Sequence, residues 1–323
     1  MLSEDHQGLL RKKLFVFIGI AVAAAIAGSI ALVGSSPSTT SSSGFSDTIR
    51  VTTTTNMITD LVQEIGSEHV IVTGIMGPGV DPHLYRGSAS DVEKLRNSDV
   101  IFYNGLNLEG KMGDIFIQMS RDGKPVYAVS ENIPQDLLLE LNVGGRDPHI
   151  WWDATLWMEA ARVVADALAE VDPDNSESYQ SNLDEYLEEL QSLHDVSLGR
   201  IQGIPEEQRV LVTAHDAFQY FGRAYGMEVM GIQGWSTESE AGIQGIRELA
   251  DMVAEREIKA IFVETTVSPN TIEALKEAAR DRGHEVVVGG QLFSDAIGDT
   301  ETLEGTFIGA FRYNVDTIAN ALQ

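Results

Sequence analysis

Four residues in this chain have the types and settings for metal coordination. They are His83 in Asp81-Pro82-His83, His149 in Asp147-Pro148-His149, His215 in Thr213-Ala214-His215-Asp216, and Asp295 in Gly289-Gly290-Gln291-Leu292-Phe293-Ser294-Asp295. Successive members lie many tens of residues apart, far wider than the ligand spacing of a zinc finger. Such spacing fits ligands drawn from separate loops of a large α/β body, with an ion captured between two lobes. Three neutral imidazoles and one carboxylate suit four-coordinate zinc and allow a fifth contact if Asp295 binds through both oxygens. Zinc is the first expectation. Manganese is the second, because affinity for such donors runs against it.

The neighbours of these residues have expected roles too. Pro82 and Pro148 fix the local backbone and hold the aspartates before them extended. Asp81 and Asp147 are expected to accept the second ring N–H of the adjoining histidine, which orients a metal-bound imidazole. Glu264, ending Ile261-Phe262-Val263, is a competing oxygen ligand or a partner of one of the ligands. Asp295 has an alternative as a helix N-cap. Trp151 and Trp152, directly after His149, read as a wall excluding water, with stacking on a sugar as the alternative. His6, His69, His194 and His284 lack comparable settings and stay outside the site.

Composition narrows the chemistry. The 323 residues contain no cysteine, which removes disulfides, thiolate metal sites, thiol nucleophiles and a lipid-modified cysteine together. A formal charge of −27, from 22 basic against 49 acidic residues, argues against nucleic acid as a partner. With 43% hydrophobic residues the chain has material for two cores.

Several elements must carry the site. β-Branched runs are expected as strands at 49–54, 70–75, 100–103 and 126–129, and again at 210–213, 228–232, 260–263 and 285–288, with helices between them. Gly289-Gly290 reads as a turn after the last strand. The alternation predicts an α/β fold: two similar lobes, each with a four-stranded parallel sheet, joined by one long backbone helix. That helix is expected over 174–201, with Tyr179, Leu183, Leu187, Leu190 and Leu193 on one face. A weak internal repeat aligns the start of each lobe and sets Asn56 where the second lobe has His215. The expected domains are an N-terminal segment 1–34, a Ser/Thr-rich linker 35–46, a first lobe 47–173, a linking helix 174–203 and a second lobe 204–323. Residues 14–34 form an apolar run behind Arg11-Lys12-Lys13, long enough to anchor the chain with its body outside the membrane; the alternative is a signal segment cleaved at Ala25-Ile26-Ala27, which would leave the body secreted.

The chain resembles the TroA-like, or cluster A-I, metal-binding receptors of zinc and manganese ABC importers, from Ile49 to Ala321. The resemblance rests on Pro78-Gly79-Val80-Asp81-Pro82-His83, Asp147-Pro148-His149-Ile150-Trp151-Trp152-Asp153, Ser236-Thr237-Glu238-Ser239-Glu240-Ala241-Gly242, Ile258-Lys259-Ala260-Ile261-Phe262-Val263-Glu264 and the Gly289 to Asp295 stretch. It implies that His83 and His149 come from the first lobe, His215 and Asp295 from the second, and that the stiff helix allows only small closing motions. The implied partners are an ABC transporter permease and its ATPase, and the chain itself has no phosphate-binding loop. A monomeric, non-enzymatic, extracytoplasmic receptor is the expectation. The chain departs from the family in lacking the lipid-attachment cysteine and the His-rich loop of many zinc members, and some manganese members carry Glu where His215 stands. Two other readings remain at this point. A metallohydrolase would leave one coordination position open for water, and a surface adhesion protein would use the same fold.

Overall fold

Each expected strand forms, and all pair in parallel. β1 (Ile49–Thr53), β2 (Val70–Gly74), β3 (Val100–Tyr103) and β4 (Val126–Ala128) make one sheet in the order β2-β1-β3-β4. The structure, a computed structural model, describes residues 48–239 and 242–323. The apolar segment 1–34, the linker 35–46, and Glu240 and Ala241 of the Ser-Thr-Glu-Ser-Glu-Ala-Gly motif lie outside the described residues. Among the described residues, no helix is long and apolar enough to cross a membrane.

The second set of strands differs from one four-stranded ladder. β5 (Val210–Thr213) pairs with β6 (Glu228–Gly231), and β7 (Ala260–Glu264) pairs with β8 (Val287–Leu292), giving two separate pairs. Side chains join them where β5 lies beside β7. Val210, Val212 and Ile261 pack into one apolar cluster on one face, while Leu211, Ala260 and Phe262 enter the main core on the other. Packing on both faces holds the pairs side by side without a ladder between β5 and β7.

Gly289 and Gly290 lie inside β8 and do not form the expected turn. The register steps from Ile261 opposite Val288 to Phe262 opposite Gly290, so Gly289 is the extra residue of a bulge. Close packing explains the glycines. A Cβ on Gly289 would stand 2.7 Å from the Ala321 side chain, and one on Gly290 2.5 Å from Thr317.

The helices are α1 (Asn56–Gly66), α2 (Ala89–Asn97), α3 (Gly113–Arg121), α4 (Ala154–Val171), α5 (Ser176–Gln202), α6 (Gln219–Tyr225), α7 (Ile243–Glu255), α8 (Asn270–Arg280) and α9 (Phe307–Leu322). Three of them start at side-chain caps: Ser88 and Asp91 form a capping box for α2, Asp153 caps α4 and Thr306 caps α9. The long helix α5 has 27 residues, about 40 Å. Its buried stripe runs through Tyr179, Leu183, Tyr186, Leu190, Leu193 and Ile201. Leu187, expected on that face, is only partly buried, because the 3.6-residue period brings Tyr186 inward instead.

The main core is continuous where two were expected. It runs from β1 through α1, α4 and α5 to α6 and α9. Trp152 shows why: it stacks on Phe218 of the second lobe (5.2 Å between centroids) and packs on Phe311 of α9 (5.5 Å). One aromatic layer therefore spans both halves beside α5.

Candidate metal centre

The four predicted residues meet at the carboxyl side of the strands, where parallel sheets place their ligands. His83 lies in the loop after β2, His215 two residues beyond β5, and Asp295 three residues beyond β8. His149 precedes a short 3-10 turn leading into α4. One donor atom from each can be chosen so that all lie within 4.8 Å of one another, and all four residues are buried. His83 Nε2 stands 3.2 Å from His149 Nε2 and 3.6 Å from Asp295 Oδ2. Asp295 is 3.6 Å from His149 Nε2 through Oδ1 and 3.2 Å from His215 Nε2 through Oδ2.

Two of the three imidazoles are oriented by carboxylates. Asp147 Oδ1 accepts both the backbone N–H of His149 (3.0 Å) and its ring Nδ1–H (2.7 Å). Glu264 does the same for His215, with Oε1 on the backbone N–H (2.8 Å) and Oε2 on the ring Nδ1–H. Each carboxylate holds a proton on Nδ1 and so makes Nε2 the ring atom that faces the centre. Glu264 is thus occupied with His215 and stands outside the four-residue cluster. Asp81 departs from expectation. Its Oδ1 accepts the backbone N–H of His83 (2.9 Å) and not the ring, while Oδ2 accepts from Thr237 Oγ1 (2.6 Å). Thr237 draws the other oxygen of Asp81 away from the imidazole.

Asp295 is no helix cap. Both of its carboxylate oxygens are buried and neither has a hydrogen-bond partner, and His215 Nε2 is in the same position. The neighbouring peptide is held from the first lobe. Trp151 and Trp152 both donate their indole N–H to the Ser294 carbonyl, at 2.9 and 3.1 Å. Buried this deeply, the two rings cannot stack on a sugar. Asn56, the position aligned with His215, exchanges two hydrogen bonds with the Ile297 backbone, at 2.8 and 3.0 Å. From the other side Tyr220 of α6 donates to the Asp147 carbonyl (2.9 Å) and Arg223 pairs with Asp153 (3.2 Å). Periodicity did not mark these supports as functional. For Asn56 a signal existed, a polar residue at a strand's carboxyl end.

The electrostatics of the cluster are asymmetric. Burial pushes His83 down to about 3, with Asp295 opposing. Burial also works against a charge on His215, but the carboxylates of Glu264 and Asp295 outweigh it and raise that imidazole well above its ordinary value. Burial alone would raise Asp295, yet His215, His149 and His83 together hold it well below the usual carboxylate range.

His69, His194 and His284 lie elsewhere. His69 is edge-on to Tyr179, His194 packs on Tyr225, and His284 bonds the Ile258 carbonyl (2.8 Å). His6 is outside the described residues.

Residues 51–321 match the family model described as ZnuA, Zinc-uptake complex component A periplasmic. The chain belongs to this family. Its members are metal-binding receptors of zinc and manganese ABC importers and are not enzymes. Among similar receptors, the manganese-binding lipoprotein MntA of Bacillus subtilis (strain 168) is 46% identical over 276 residues, covering 85% of this chain and 90% of that protein. The zinc-binding protein TroA of Treponema pallidum (strain Nichols) is 47% identical over 272 residues, covering 84% and 88%. The solved structure of the periplasmic zinc-binding protein TroA from Treponema pallidum superposes with a TM-score of 0.83, covering 85% of this chain and 99% of that one. This receptor therefore shares the α/β fold with a long connecting helix and is the metal-binding component of an ABC importer with a buried three-histidine, one-aspartate site. The two relatives, nearly equal in identity, carry different metals in their names, so the choice of metal rests on the donor set.

Proposed function

We propose that His83, His149, His215 and Asp295 bind one divalent transition metal, zinc first and manganese second, in the cleft between lobes 47–173 and 204–323 spanned by 174–203. The observation that carries this is Asp295: a buried carboxylate, both oxygens without a donor, facing three imidazole nitrogens at 3.2 to 3.6 Å. Ligands about 2.05 Å from a tetrahedral zinc stand about 3.3 Å from one another, which matches these separations. Burying such a charge is costly, and of the three imidazoles His215 offsets it most. A divalent cation removes the cost.

Ligands from both lobes link loading to lobe geometry, and the loaded form is the one a permease accepts. The cross-lobe bonds from Trp151, Trp152 and Asn56 leave room for only small motions. Energy for transport comes from the importer's ATPase. The receptor works outside the cell membrane, held there by residues 14–34, and acts as a monomer.

The test is elemental analysis of the full chain, solubilised in detergent and purified without added metal, beside H83A, H149A, H215A and D295A. The expected result is one ion per wild-type chain, lost in each variant, with zinc retained in preference to manganese under competition. Stoichiometric metal in two or more of the variants would overturn the ligand assignment.

A further inference from the structure

The four ligand residues are not equally enclosed. A recess of about 280 Å³ opens beside the centre, and of the four only His83 lines it, together with Asn107, Lys111, Trp235, Ser236 and Glu238. His149, His215 and Asp295 are sealed behind it. His83 is also the ligand with the least backing. The rings of His149 and His215 each donate to a buried carboxylate, whereas Asp81 holds His83 only through its backbone N–H.

Two contacts tie together the chain segments that line this recess. Thr237 Oγ1 donates to Asp81 Oδ2 at 2.6 Å, and Lys111 Nζ meets Glu238 Oε1 at 2.8 Å. The Trp235 ring, which also lines the recess, stands edge-on to the His83 imidazole, 5.8 Å between centroids. The segment carrying Trp235, Thr237 and Glu238 follows β6 in the second lobe, whereas Asp81, His83 and Lys111 belong to the first.

We propose that the ion enters and leaves past His83, and that Thr237 is a positioning residue that holds this ligand in place through Asp81. The inference rests on the ligand assignment above. Release needs one ligand to withdraw first. Withdrawing His149 or His215 breaks a buried ring-to-carboxylate bond, and His149 also packs against the enclosed Trp151. His83 needs only its loop to swing toward the recess, and the Thr237–Asp81 hydrogen bond opposes that swing. The Lys111–Glu238 pair is a weaker second tie, since Glu238 is half exposed and salt screens such pairs.

The experiment measures zinc release from the full chain after mixing with excess chelator, for wild type, T237V, T237S and E238Q. Each is first shown to hold one zinc per chain and to unfold at the wild-type midpoint; T237A replaces T237V should the latter fold poorly. Losing a hydrogen bond to a charged group predicts release about tenfold faster in T237V. T237S, which keeps the hydroxyl, should stay within about twofold of wild type. In E238Q release should rise about twofold at low salt and match wild type at high salt. Wild-type release from T237V, or release from T237S as fast as from T237V, would overturn the positioning role and leave the ligand assignment standing. A wild-type chain that binds no zinc would instead overturn the assignment on which this inference rests.

Discussion

Glu264→Gln tests whether the carboxylate behind His215 governs the metal through the imidazole's proton. Glu264 accepts two N–H groups from one residue, the His215 backbone and the ring Nδ1. A glutamine keeps the oxygen for the backbone N–H and turns its NH2 toward Nδ1. The ring must then accept at Nδ1, which moves its proton to Nε2, the atom that faces His83, His149 and Asp295. An Nε2–H cannot bind a metal. The cost of the swap lies at the upper end of what lost orienting partners cost, about 100-fold in affinity or roughly 2.7 kcal/mol. Free zinc at 1,000 times the wild-type Kd stabilises the wild type by about 4.1 kcal/mol and the variant by about 1.4 kcal/mol. The zinc-induced gain in melting temperature should therefore shrink by roughly 5 °C. Chelator competition measures the affinity directly, and thermal unfolding with and without zinc measures the linked stability. An affinity within twofold of wild type would refute the tautomer argument, and Asp147→Asn, acting on His149 by the same route, should fail with it.

Three further outcomes follow from the geometry. Burial pushes Asp60 up to about 7, with Glu64 acting in the same direction and the Phe307 N–H opposing. The folded state therefore holds this proton more tightly than the unfolded chain, and the contribution is full below about pH 4 and lost as pH rises through 7. Asp60→Asn should raise stability at pH 8 by on the order of 2 kcal/mol and change it little at pH 4, read from urea midpoints; equal effects at both pH values would contradict it. Trp152→Phe keeps the stacking on Phe218 and Phe311 but removes one donor to the Ser294 carbonyl, so unfolding free energy should fall by about 1 kcal/mol and zinc affinity by a few-fold. Gly290→Ala forces a methyl toward Thr317 of α9 and should destabilise the protein by about 1–3 kcal/mol in denaturant unfolding. An unchanged midpoint would mean that α9 can shift away from β8.

Features whose physics is local were legible along the chain. β-Branched runs between polar stretches marked the strands, the three-and-four spacing of Tyr179, Leu183, Leu187, Leu190 and Leu193 marked α5 although Leu187 is only partly buried, and side-chain chemistry beside proline or at a strand end marked His83, His149, His215 and Asp295 as candidates that meet in the fold. Asp147 sits two residues from the ring it orients, so its role was legible. Whatever depends on partners far apart in the chain took shape only in the closed fold. That fold joined the expected two cores through Trp152, Phe218 and Phe311, and it drew Glu264 to His215 as a partner. It also turned Gly289-Gly290 into a bulged strand under α9 and gave Thr237 and not the His83 ring to Asp81. A local window carries periodicity and capping, but a contact between residues 142 or 156 positions apart exists only once the chain has closed on itself. Closure decides which carboxylate oxygens find a donor and which, like those of Asp295, are left facing three imidazoles.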